Sequence, residues 1–153
     1  MHLHLPPELI ARLVAALSQA GTREIGGVLM GEHIGPDTFR VKDLTIQRKG
    51  GTFASFIRIV ADILGPLRKF FETTKHDYKK FNYIGEWHSH HSFELRPSGP
   101  DHQAMLDIVN DAELGAHFVV LLLVKLDTKG ALDGSVTVYL PEKHPFFGRI
   151  VYE

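Results

Sequence analysis

Seven consecutive apolar residues, Phe118-Val119-Val120-Leu121-Leu122-Leu123-Val124, make the longest such run in the chain. A half-exposed strand would alternate apolar with polar residues. This run does not alternate, so residues 117–126 are expected to form a strand buried on both faces at the centre of a sheet. The run is far shorter than the roughly 20 residues that span a bilayer. The rest of the chain must therefore supply cover for both sides of one strand.

The flanking patterns supply it. Residues 2–5 alternate and predict a short strand. Pro6 and Pro7 open a helix to about Ala20, since proline's missing N–H costs nothing in a first turn. Leu9, Ile10, Leu13, Val14 and Leu17 recur at helical spacing, and Gly21 supplies the C-terminal cap. Glu24-Ile25-Gly26-Gly27-Val28-Leu29-Met30-Gly31 reads as a buried strand with close backbone neighbours. A turn over 33–37 leads to a strand through Phe39, Val41 and Ile46. Residues 47–52 read as an exposed loop and 53–60 as a strand. A second helix is expected over about 61–80, kinked or delayed by Gly65-Pro66, with Ile63, Leu64, Leu67, Phe70 and Phe71 inward. Residues 81–90 form a strand and 91–97 a loop. A third helix runs from Ser98 to about Glu113, with Ala104, Met105, Ile108 and Val109 inward. After a turn over 127–134, residues 135–140 alternate as a strand. The tail from Pro141 is expected to be irregular until 149–152. The pattern is one mixed α/β sheet with helices packed on it, in a single domain over 1–153.

The chain has 153 residues, 44% hydrophobic and 23% charged, with net charge −1 and no cysteine. The near-neutral charge gives no reason to expect nucleic acid or a membrane as partner. The lack of cysteine removes thiol nucleophiles, disulfides and every cysteine-type zinc site. The N-terminus has neither the basic start nor the apolar core of a signal peptide, so the expected location is cytoplasmic.

Chemistry concentrates in Gly85-Glu86-Trp87-His88-Ser89-His90-His91 and in Ser98-Gly99-Pro100-Asp101. On a strand, side chains at i and i+2 share a face, so His88 and His90 can grip one ion. Asp101 returns after a loop with a carboxylate. Two imidazoles and one carboxylate, leaving the fourth position to water, is the ligand set of a catalytic zinc site. Histidine is common here, with ten in the chain, and His2 and His4 show the same spacing without any assigned role. Ser98 and Asp101 also read as a capping box, a role compatible with ligation because a capped first turn fixes where Asp101 points.

Together, His88-Ser89-His90, seven intervening residues, Ser98 and Asp101, with Glu24 far upstream, resemble the JAMM metalloproteases, the catalytic members of the MPN-domain family. The resemblance implies a single MPN (JAMM) domain, a curved mixed β-sheet flanked by helices with cytidine-deaminase-like architecture. It implies Zn2+ held by His88, His90 and Asp101. Glu24 would hold the attacking water, take its proton and pass it to the leaving amine. Ser98 would donate to the developing oxyanion. The implied reaction is hydrolysis of the amide bond after the C-terminus of a ubiquitin-like protein, in deconjugation or precursor processing. The size resembles compact bacterial and archaeal members, some encoded beside ubiquitin-like systems, including antiphage ones, and others trimming sulfur-carrier precursors. An extended substrate tail would pair with a strand edge, for which residues 47–55 are the candidate.

Family members often carry proline where this chain has His91, which is read as solvent-facing or beside the ligands. His102 is expected to be exposed. Trp87 is read mainly as core packing, with substrate contact as the alternative, and Glu86 is left without a role. The rivals are a non-catalytic MPN scaffold and a RadC-like metal-binding domain. A zinc deaminase would need cysteine ligands, and an amidohydrolase barrel typically needs about 250 residues.

Overall fold

The computed structural model describes residues 1–47, 60–91 and 94–153, the side chains of 60–64 excepted. In chain order the elements are β1 (His2–Leu5), α1 (Pro7–Ala20), β2 (Gly26–Gly35), β3 (Thr38–Leu44), α2 (Val60–Thr73), β4 (Phe81–Ser89), α3 (Gly99–Val109), β5 (Val119–Leu126), β6 (Leu132–Tyr139), β7 (Phe146–Phe147) and β8 (Arg149–Tyr152). Among the described residues the strands form one sheet in the order β7-β6-β5-β4-β2-β3-β1-β8. It is mixed: β4 runs parallel to β5, and β1 parallel to β3 and β8, while the other pairs are antiparallel.

β5 is covered on both sides, as its composition demands. Val120, Leu122 and Val124 face α1 in a cluster with Leu9, Leu13, Leu17, Leu29 and Trp87. Val119, Leu121 and Leu123 face the other way, against Met105 and Val109 of α3 and Tyr139 of β6. On that second face α2 adds Phe70 over Val28 and Met30 of β2. Each such fully buried aliphatic side chain contributes about 1.5–3 kcal/mol relative to exposure.

The tail from Pro141 is more ordered than its sequence suggests. β7 pairs with β6 at one edge and β8 pairs with β1 at the other, with Gly148 alone between them. The Gly148 N–H donates to the Val136 carbonyl (2.9 Å) and the Arg149 N–H to the Met1 carbonyl (3.0 Å). The two edges of the curved sheet are thus bridged by one residue. A Cβ on Gly148 would lie 3.1 Å from Val136 Cγ1 and 3.2 Å from Met1 O.

Several boundaries differ from expectation for local reasons. β2 begins at Gly26 and continues to Gly35, leaving only Pro36 and Asp37 for the turn. α2 stops at Thr73, well short of 80. The Thr73 and Thr74 hydroxyls donate back to the Lys69 and Phe70 carbonyls (2.8 and 2.9 Å), and Lys75 and His76 turn to positive φ (55° and 57°). α3 stops at Val109 rather than 113. Asp111 Oδ1 accepts the N–H groups of Glu113 and Leu114 (2.8 and 3.3 Å), forming a local turn that competes with helix. The strand expected over 53–60 and most of the candidate edge at 47–55 lie outside the described residues. Gln47 itself is placed, with its N–H donating to the Gly26 carbonyl at 2.7 Å.

Candidate metal centre

The centre is assembled from the end of β4 and the first turn of α3. β4 lies between β2 and β5, with His88 opposite Gly26 and Leu123. A Cβ on Gly26 would come within 2.9 Å of His88 Cβ, so glycine there makes room for the histidine. The His90 N–H, one residue past β4, still donates to the Val124 carbonyl at 2.9 Å, which keeps the chain extended. His88 and His90 therefore share a face, as the spacing requires.

Asp101 arrives through the capping box. The Ser98 N–H donates to Asp101 Oδ2 (2.7 Å), and the Asp101 N–H donates to Ser98 Oγ (3.3 Å). The ligand atoms converge: His88 Nε2 lies 3.0 Å from His90 Nε2, and these two lie 3.5 and 3.6 Å from Asp101 Oδ1 and Oδ2. Ligands about 2.0–2.1 Å from one zinc ion at tetrahedral angles would be separated by roughly 3.3 Å. His88, His90 and Asp101 are 8%, 8% and 4% exposed. The donor set, its spacing and its burial fit a metal ion.

Electrostatics agree with the geometry. Burial opposes charge on Asp101, yet hydrogen bonding to His88, His90 and the Ser98 N–H holds its carboxyl well below the usual range. Hydrogen bonding to Asp101 raises His90, against the effect of burial, and the Glu24 charge pushes in the same direction. His90 Nδ1 lies 3.0 Å from the Glu94 carbonyl. A carbonyl only accepts, so this nitrogen carries the proton and leaves Nε2 to ligate.

The other sequence candidates are placed as follows. Glu24 is exposed in the short connection before β2, outside the strand expected to begin with it. Ser98 is exposed, and its Oγ accepts from the helix while its own proton is left to donate elsewhere. Trp87 is fully buried on the face opposite His88, and its Nε1–H donates to the Thr45 carbonyl at 2.8 Å. His91 is exposed. His102, expected to be exposed, is half-buried, and its Nδ1 meets the Tyr139 hydroxyl at 2.9 Å, tying α3 to β6.

Two residues gained roles that the sequence reading did not assign. Ser89, between the histidines, points to the opposite face and bonds to Ile25, the neighbour of Glu24. Alternation along a strand could have exposed this. Glu86 is 5% exposed on the same face as His88; burial raises its carboxyl to about 7, against a stabilising hydrogen bond from Tyr83.

The family model for prokaryotic homologs of the JAB domain matches residues 6–132. A search of curated protein sequences returned no match. Among solved structures, a protein from Desulfitobacterium hafniense aligns with TM-score 0.63 and 16% identity over 99% of this chain and 92% of that one. A protein from Salinibacter ruber aligns with TM-score 0.55 and 17% identity over 98% and 91%. A JAB1/MPN domain protein from Archaeoglobus fulgidus aligns with TM-score 0.49 and 14% identity over 98% of each chain. The family match spans most of the chain and takes in both histidines and the aspartate of the centre: the chain belongs to the prokaryotic JAB-domain family.

Proposed function

We propose that this protein is a zinc-dependent metallopeptidase that hydrolyses the amide bond after the C-terminus of a ubiquitin-like protein, whether conjugate or precursor. The observation that carries the reading is the meeting of His88, His90 and Asp101, their ligand atoms all within 4.8 Å of one another. The JAB/MPN family, to which the chain belongs, includes zinc isopeptidases.

When bound, zinc supplies Lewis acidity, lowering the pKa of a water to about 7 and polarising a carbonyl. The chain's own groups do the rest. Asp101, held anionic, balances the charge of a divalent cation, and the Glu94 carbonyl fixes the ligating tautomer of His90. Glu24 has a carboxylate open to solvent and electrostatically in reach of His90, which suits a base that takes a proton from water and delivers it to the leaving amine. The free proton of Ser98 suits a donor to the tetrahedral oxygen, a role worth about 3 kcal/mol. The substrate tail would lie extended along a strand edge. No described helix is long and apolar enough to cross a membrane.

The test is a ubiquitin-like fusion assayed for cleavage beside elemental analysis. Glu24→Ala is expected to keep stoichiometric zinc and lose at least about 100-fold in rate; His88→Ala loses both metal and cleavage. Native-rate cleavage by Glu24→Ala removes Glu24 as the base, and a wild-type protein that takes up no metal removes the whole reading.

A further inference from the structure

A cavity of about 870 Å³, apart from the metal centre, is lined by residues of α2 (Leu67, Phe71), α3 (Ile108) and the sheet. Its walls include Val28, Leu67, Phe71, Tyr83, Ile108 and Phe118, and no ligand of the metal centre lines it. The volume falls within the range of small-molecule sites, about 300–1,000 Å³, and such sites pair an apolar lining with few polar groups. Tyr78 and Leu114, 52% and 61% exposed, also line it.

Glu86 is the one acidic side chain among the described lining residues. Among the described residues its Oε1 meets only the Tyr83 hydroxyl, at a long 3.4 Å, and its buried Oε2 has no hydrogen-bond partner. A buried carboxylate oxygen without a donor destabilises a protein, more so when the group is charged. Such groups are kept where something else completes them. The proposed hydrolysis gives Glu86 no task. Two lysines, Lys79 and Lys80, also line the cavity; Lys80 is already engaged, its Nζ 3.1 Å from Glu32 Oε1, and Lys42 is close to the same carboxylate.

We propose that this cavity is a binding site for an apolar molecule carrying one amine, the apolar body against the walls and the ammonium donating to Glu86. The site stands apart from the hydrolase reading, since a protein with no peptidase activity would still have it.

The probe is 4-phenylbutylamine, compared with 4-phenylbutanol and 4-phenylbutyric acid, which share its body but not its charge. Binding is measured by calorimetry and by NMR on metal-free and zinc-loaded protein. The amine is expected to bind at least tenfold more tightly than either analogue, in both metal states, with shifts centred on Tyr83, Ile108 and Phe118. Glu86→Gln is expected to reduce the amine to the level of the alcohol, and Ile108→Trp, which fills the space, to weaken all three. The idea fails if acid and amine bind equally or if folded Glu86→Gln keeps the preference. It fails equally if amine binding requires zinc or disappears in His88→Ala, because the probe would then be sitting on the metal. If Glu86→Gln does not fold, shifts on the wild type decide: shifts at Tyr83, Ile108 and Phe118 support the site, and shifts elsewhere remove it.

Discussion

Ser89 Oγ accepts a hydrogen bond from the Ile25 N–H at 3.0 Å, and the Ser89 N–H donates to the Ile25 carbonyl at 2.8 Å. The residue between the two histidines thereby holds the short connection that carries Glu24. The link is buried, with Ser89 1% exposed, so its geometry is not diluted by solvent.

Ser89→Ala leaves the Ile25 N–H without its acceptor inside the protein. The expected loss is about 1–3 kcal/mol of stability. Zinc content should stay stoichiometric because no ligand is touched, while turnover falls as Glu24 loses its fixed position. Thermal denaturation, elemental analysis and a cleavage assay on one preparation separate the three effects. Unchanged turnover in a folded variant would show that the clamp does not matter to the base.

Asp101 combines capping and ligation, and Asp101→Asn separates them. An asparagine oxygen can still accept the Ser98 N–H, so α3 should keep its start. Wild-type protein should gain about 2.7 kcal/mol at a free zinc concentration of 100 times Kd. The variant should show almost none of that gain, read as the zinc-dependent rise in Tm.

Glu86 gives a pH dependence of definite sign in metal-free protein. Burial raises its carboxyl from 4.5 to about 7 in the folded state. Below the unfolded value the group is neutral in both states and costs nothing. Between about 4.5 and 7 the unfolded chain ionises while the folded carboxyl keeps its proton, so stability falls with rising pH, and the loss is complete once pH passes about 7. Glu86→Gln should therefore gain on wild type with rising pH, the difference reaching about 3 kcal/mol above pH 7. Paired denaturant titrations from pH 4.5 to 8 test this, and parallel curves for the two proteins would contradict it.

Gly27→Ala should be severely destabilising. A Cβ there would lie 1.9 Å from the Thr45 carbonyl oxygen and 2.7 Å from Trp87 Nε1, the two ends of the Trp87–Thr45 hydrogen bond. Backbone cannot yield that far cheaply, and a loss of at least about 3 kcal/mol in urea denaturation is expected.

Much of this molecule was legible from periodicity. The 3.6-residue stripe of Leu9, Leu13 and Leu17 marked α1, and the unbroken run at 118–124 marked β5. The spacing of His88, His90, Ser98 and Asp101 marked the centre, because i+2 on a strand and a capped first turn each have one geometry. The helix ends at Thr73 and Val109 were less legible. There the outcome turned on side-chain hydroxyls and carboxylates competing for backbone groups, a contest of about 1 kcal/mol that apolar spacing does not record.

The sequence by itself determined where most of the described helices and strands lie and which three side chains can share an ion, since both follow from local periodicity and fixed offsets. Only the tertiary structure decided what depends on distant neighbours. Opposite β2, the register shifts so that Leu29 pairs with Gly85 and Met30 with Tyr83, and this puts Tyr83 and Glu86 on one face despite their odd separation. Gly85 permits it with φ 148°, in a position where a Cβ would meet the Val120 carbonyl oxygen at 2.0 Å. The burial of Glu86, the reach of Ser89 to Ile25 and the closure through Gly148 all arise the same way. They are contacts between segments far apart in the chain, fixed by how the sheet curves rather than by any local pattern.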